Sequence, residues 1–119
     1  MKKFKCTVTR IDEYEIEIDE TICDEKWMEE FQGYMYPFET LTEHAEHLAQ
    51  YQARLGSEYT FIEGYGYVKR NGELPYGHED FDKKGNWLPE EKRRQPAPGL
   101  NIKIVSEDSD CEVEVEELE

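Results

Sequence analysis

An α+β fold, with an antiparallel sheet of about five to six strands and two helices packed on one face, follows from three observations. Residues 3–19 and 101–118 alternate apolar and polar side chains, and a period of two puts one residue class on each face of a strand. Residues 24–55 switch to spacings of three and four, the period of a helix. Strands and helices therefore come in blocks, in the order ββααββ-loop-ββ. Such blocks build helices onto one face of an antiparallel sheet, not parallel βαβ units.

In the first segment Phe4, Cys6 and Val8 share one face, with Lys3, Lys5, Thr7 and Thr9 on the other. Beyond Asp12, the acids Glu13, Glu15, Glu17 and Asp19 alternate with Tyr14, Ile16 and Ile18. Ile11-Asp12-Glu13 reads as a tight hairpin turn or, since it holds no Gly, as a bend in one long strand. A hairpin sets the basic face of the first strand beside the acidic face of the second. Each opposed pair adds a few tenths to about 1 kcal/mol.

Asp24 is placed to cap a short helix, with Glu25 in its first turn and Trp27, Met28, Phe31, Tyr34 and Met35 as an apolar stripe. Gly33 weakens that helix and Pro37 ends it. Thr40 and Glu43 form a capping box for a second helix, whose stripe is Leu41, Ala45, Leu48, Gln52 and Leu55. Gly56 stands at its C-terminal cap. Residues 59–69 are strand formers interrupted by Gly64 and Gly66, and Asn71-Gly72 is a strong hairpin signal. Pro75 and Gly77 keep the return strand short. Residues 77–99 form a long loop-like insertion with Trp87 as anchor. The chain closes on a hairpin, 101–106 and 111–118, around Glu107-Asp108-Ser109-Asp110, with Cys111 facing inward. One acidic α+β domain spans residues 1–119.

The net charge is −15, and it is unevenly spread. Residues 1–10 carry +4, residues 11–46 carry −12, residues 47–100 are neutral and residues 101–119 carry −7. Charged residues make up 36% and apolar ones 37%, against about 25% and about 45–50% in ordinary domains. Aromatics, at 13%, and clean periodicity argue for a folded chain with a polar surface. So negative a chain disfavours direct contact with nucleic acid, which needs Lys and Arg to displace counterions. It favours basic protein surfaces instead. The charged N-terminus has no apolar run after it, so neither a secretory signal nor a membrane span is expected. Three cysteines, an odd set, fit a reduced cytoplasmic chain.

The candidate partner-binding residues are the two acid rows, Glu13, Glu15, Glu17 and Asp19 in one and Glu112, Glu114 and Glu116 in the other. Side chains two apart on a strand stand about 6.6–6.8 Å from each other, close to the roughly 6–7 Å between neighbouring phosphates on a strand. The plain alternative is a solvated sheet face, although Glu is a poor strand former. His44 and His47 share a face of the second helix and form the alternative, a zinc site, once a Cys or carboxylate joins them. No Cys-x-x-Cys pair supplies one, and His-Glu-x-x-His is absent. Asp108-x-Asp110-x-Glu112 lacks the central Gly and distant Glu of a calcium loop. Gly64-Tyr65-Gly66-Tyr67 lacks the Lys-Ser or Lys-Thr of a phosphate loop and reads as a kinked strand with exposed tyrosines. No serine sits in a Gly-x-Ser-x-Gly elbow. A non-catalytic protein without a cofactor, monomer or homodimer, is the expectation. A further alternative is an accessory domain without inhibitory role that works as a homodimer through an aromatic surface of Tyr34, Tyr36, Phe38, Tyr65, Tyr67 and Tyr76.

In size, acidity and lack of catalytic motifs, the chain resembles small inhibitors encoded by phages and mobile elements, including anti-CRISPR proteins. The stretch from Glu43-His44-Ala45-Glu46-His47-Leu48-Ala49-Gln50 to Phe61-Ile62-Glu63-Gly64-Tyr65-Gly66 is similar to uncharacterised proteins of such elements. No functional residue carries over. The resemblance implies a partner class, a basic nucleic-acid-binding protein such as a host nuclease, whose nucleic-acid surface a DNA mimic would occlude.

Overall fold

A computed structural model describes residues 1–108 and 112–118. The fold is α+β: strands β1 (Lys3–Thr9) and β2 (Glu13–Ile18), helices α1 (Glu25–Tyr34) and α2 (Leu41–Leu55), then β3 (Phe61–Ile62), β4 (Gly66–Arg70), β5 (Pro96–Ser106) and β6 (Glu112–Leu118). Six strands form two sheets, not the single sheet expected. One has four strands in the order β2-β5-β4-β3, and the other pairs β1 with β6 alone.

Neither expected terminal hairpin forms. β1 pairs with β6, and β2 with β5, both antiparallel. The alternative of one long bent strand describes the N-terminus better. Residues 3–18 run along residues 100–118, interrupted at 10–12 on one side and from 107 on the other. At the break Arg10 pairs with Asp12 at 2.8 Å and reaches Glu107 at 3.8 Å, and the Asp108 amide donates to Asp12 at 3.0 Å. The remainder of the expected turn, with the inward placement of Cys111 and the Asp110 position, lies outside the described residues.

β4 and β5 are parallel, which departs from a wholly antiparallel sheet. Parallel neighbours need a crossover of a dozen or more residues, and residues 71–95 supply it. Asn71 and Gly72, at φ 53° and 85°, make the expected tight turn, but the return is a single bridge between Arg70 and Glu73. Pro75, which has no amide to donate, follows closely. Two 3₁₀ turns, His78–Asp80 and Glu90–Lys92, order the segment. Its anchor is the buried Asp80–Arg94 pair at 2.8 Å, with the Arg94 amide also donating to Asp80. Trp87, the expected anchor, is exposed, packing edge-on to Phe81 and carrying the Arg93 guanidinium 4.6 Å above its ring.

The core is built from Cys23, Leu48, Ile62, Val68, Ala97, Leu100 and Ile102, with Tyr14, Ile16 and Ile18 packed against it. α2 lies against β2. Its capping box forms, since the Glu43 amide donates to Thr40 Oγ1 at 3.3 Å, while the Glu43 carboxylate takes the Glu39 amide at 3.0 Å. Asp24 caps α1 by accepting from the Trp27 amide at 2.9 Å. Residues 59–69 are not one strand. They fold back between β3 and β4 around Gly64, whose φ of +91° and whose approach to Phe31 and Met35 leave no room for a Cβ.

The buried stripe of α2 is His44, Leu48 and Gln52, two polar residues among three. Gln52 accepts from Arg70 Nε at 2.8 Å. The rest of that buried guanidinium is held by the carbonyls of Thr60, Val68 and Tyr59. Arg70 thus ties α2, the 57–60 loop and β4 together with carbonyl oxygens instead of a carboxylate.

The β1–β6 ladder stands apart from this core. Every one of its described residues is exposed. The radius of gyration, 18.6 Å, exceeds the roughly 13–14 Å of a compact chain of this length. The molecule measures 60 × 44 × 26 Å, and the two-stranded ladder forms an arm.

Candidate protein-binding surface

Alternation along β2 sends Tyr14, Ile16 and Ile18 inward and leaves Glu13, Glu15 and Glu17 exposed. β2 is an edge strand, so this row runs along the rim of the four-stranded sheet. Behind it on β5, Glu13 faces Ser106, Glu15 faces Lys103 and Glu17 faces Asn101. Lys103 reaches Glu15 at 3.5 Å, the Asn101 amide donates to Glu17, and Lys69 follows on β4. Two lysines therefore sit behind the three acids.

Asp19 leaves the row. Its carboxylate turns back to take both the amide and the hydroxyl of Thr21, at 2.9 and 2.6 Å, and those bonds hold it below the usual carboxylate range. It acts as the cap of the turn leading to buried Cys23, whose amide donates to the Asp19 carbonyl. An Asp-x-Thr sequence at a strand end was the available signal. Beside it, Glu17, Asp19, Ile22, Lys69, Gly99 and Asn101 line an open depression of about 590 Å³.

The second row keeps its three members. Glu112, Glu114 and Glu116 are exposed on one face of the arm, opposite Thr9, Thr7 and Lys5. The expected pairing of basic and acidic strands is thus met by β6 and not by β2. The rows stand on two ladders, one at the body's rim and one on the arm, and acid passes from one long strand to the other at the break. Among the described residues, Glu15 alone of the expected acids takes part in an ion pair.

The histidines are placed differently from a metal site. His44 is buried, with Nδ1 2.8 Å from the Tyr65 hydroxyl and Nε2 without a polar partner. Rings of Trp27, Phe31 and Phe38 surround it at 4.6–5.1 Å between centroids. His47 packs on Tyr36 and Phe38. Burial pushes both imidazoles below their ordinary value and pushes the Tyr65 phenol up. Among the described residues no group of three or more His, Cys, Asp or Glu side chains gathers as a metal site would need. Tyr65 is half-buried, so the segment expected to expose its tyrosines instead supplies a core hydroxyl.

Cys23 is buried and its thiol is pushed up, chiefly by burial and then by Asp19 and Asp24. That is the reverse of an activated nucleophile. Cys6, expected on an inward face, is exposed because the arm has no body against it. No helix of the described residues is long and apolar enough to cross a membrane. Comparison with protein-family models, with curated proteins and with solved structures gave no match.

Proposed function

We propose that this chain is a non-catalytic binding protein whose acidic strand faces engage a basic, nucleic-acid-binding surface of another protein and occlude it. The supporting observation is the exposure of Glu13, Glu15 and Glu17 on β2 and of Glu112, Glu114 and Glu116 on β6, on hydrogen-bonded ladders. A hydrogen-bonded ladder fixes the spacing of these carboxylates before a partner arrives, so less order is lost on binding. The net charge of −15 steers cationic partners and makes the association sensitive to salt. The depression beside Glu17 offers room for a Lys or Arg side chain at the end of the first row. The partner class implied by the resemblance to phage-encoded inhibitors, a host nuclease, is of this chemistry.

The test is affinity capture from host lysate across a salt series, with identification of what is retained. Added duplex DNA is then allowed to compete for the captured protein. The reading predicts a basic partner, released by salt and by DNA, and lost when Glu13, Glu15 and Glu17 are changed together to Gln. Capture that is indifferent to salt and to those substitutions would overturn it.

A further inference from the structure

The arm has a second face, and no described residue covers it. In the β1–β6 register Cys6 lies opposite Val115 and Val8 opposite Val113, so these four and Phe4 point the same way, away from Glu112, Glu114 and Glu116. Phe4, Val8, Val113 and Val115 keep 54–62% of their surface in water. With Cys6 they leave on the order of 400 Å² of apolar area exposed, the size of the largest patch on a typical monomer, which is often functional. An isolated two-stranded ladder is marginal in water and gains independent stability when a further layer packs on it.

We infer that this face packs against the same face of a second copy, arm on arm, with the two bodies at opposite ends. Charge selects the occupant. Glu117, opposite Phe4, is the one acid on this face of the described arm, and Lys2 pairs with it at 3.5 Å. The face is therefore neutral in a chain of net charge −15, and it offers nothing to a basic partner. Two copies meet there without setting like charges against each other. Antiparallel arms, each about 20 Å long, hold the acidic bodies more than two Debye lengths apart at physiological salt. Pairing of ladder edges through β6 would instead align its glutamates with those of the other copy. Two such faces, with their rims, bury roughly 1,000 Å² in total, the low end for a specific interface. The dimer is accordingly weak. It leaves both copies of the Glu112–Glu116 row on its outer faces, and it stands independently of what those rows bind.

Light scattering on the full chain at about 5 μM and about 500 μM, in low salt and in 0.5 M salt, tests this. The apparent mass doubles at the higher concentration, and the added salt preserves or strengthens the dimer, opposite to the effect on an acid-row complex. V8D together with V115D holds the mass at the monomer value, whereas T7Q with T9Q, on the other face, dimerises like the parent. In a Cys111→Ser background a short bis-maleimide links two copies through Cys6 at the higher concentration, a readout that needs no change to the arm's apolar residues. A monomer at both concentrations with no cross-link, or a dimer that V8D/V115D leaves intact, would overturn the inference.

Discussion

Replacing Arg70 by Met removes a cation from the core while keeping most of its volume. Four oxygens lose the guanidinium: Gln52 Oε1 and the carbonyls of Thr60, Val68 and Tyr59. Tyr59 is exposed and its carbonyl regains water, and the Thr60 carbonyl keeps the Val68 amide at 3.1 Å, but the Gln52 and Val68 acceptors are left in the buried interior. An acceptor stranded in the interior costs about 1–3 kcal/mol. Relief of the several kcal/mol spent on desolvating the guanidinium offsets part of that sum. The net expectation is a loss of about 3 kcal/mol, a large share of the roughly 5–15 kcal/mol that stabilises a domain. Arg70→Lys keeps the charge but supplies one compact ammonium in place of a fork, so it is also destabilised, by about 2 kcal/mol. Adding Gln52→Leu to Arg70→Met removes one stranded acceptor and restores about 1 kcal/mol. Urea unfolding followed by the fluorescence of Trp27, which packs in the aromatic cluster beside α2, reads all three. An Arg70→Met protein within about 0.5 kcal/mol of the parent would refute this account of the polar core.

Three further outcomes follow from local geometry. Burial, and after it His47, holds His44 below its ordinary value, with Glu43 pulling the other way; burial and then Arg54 do the same to His47. The unfolded chain takes up these protons first, so the stability owed to neutral rings is complete above about pH 6.5 and is lost as pH falls below it, by at most ~1.4 kcal/mol per pH unit for each ring. Urea midpoints between pH 8 and 5 should fall less steeply for His44→Phe than for the parent, and equal slopes would contradict the assignment. Gly64→Ala places a Cβ 2.8 Å from Met35 Cγ at a φ of +91°, and about 2–3 kcal/mol of destabilisation is expected by the same assay. Thr40→Ala removes the acceptor of the Glu43 amide and costs about 1 kcal/mol, seen as a lowered thermal midpoint in circular dichroism.

What could be read from the sequence divides by range. Asp24, the Thr40–Glu43 box and Asn71-Gly72 were legible because each cap or turn closes within a few residues. The exposed rows on β2 and β6 were legible because a period of two fixes faces without naming the strand next door. Partners were not legible. Neighbouring alternating segments read as hairpins, yet Thr9 meets Glu112 and Ile18 meets Leu100, across intervals that local pattern does not reach. The parallel β4–β5 pair was hidden for a related reason, because its crossover carries 3₁₀ turns instead of a periodic helix. Gln52 stands in the helical stripe that spacing defines, but His44 and Arg70 escape as core residues since polar side chains are ordinarily assigned to the surface. Only the folded chain brings a hydroxyl or a set of carbonyls to each.

The pairing of early strands with late ones governs how this protein is made. At about 5–20 residues per second, β1 and β2 leave the ribosome several seconds before β5 and β6 exist to receive them. During that interval Ile16 and Ile18 of β2 lack the β5 strand they pair with, and the helices are the elements able to form from nearby contacts. Topology of this kind folds slowly, and the glutamates that flank those strands keep the waiting chains apart by mutual repulsion.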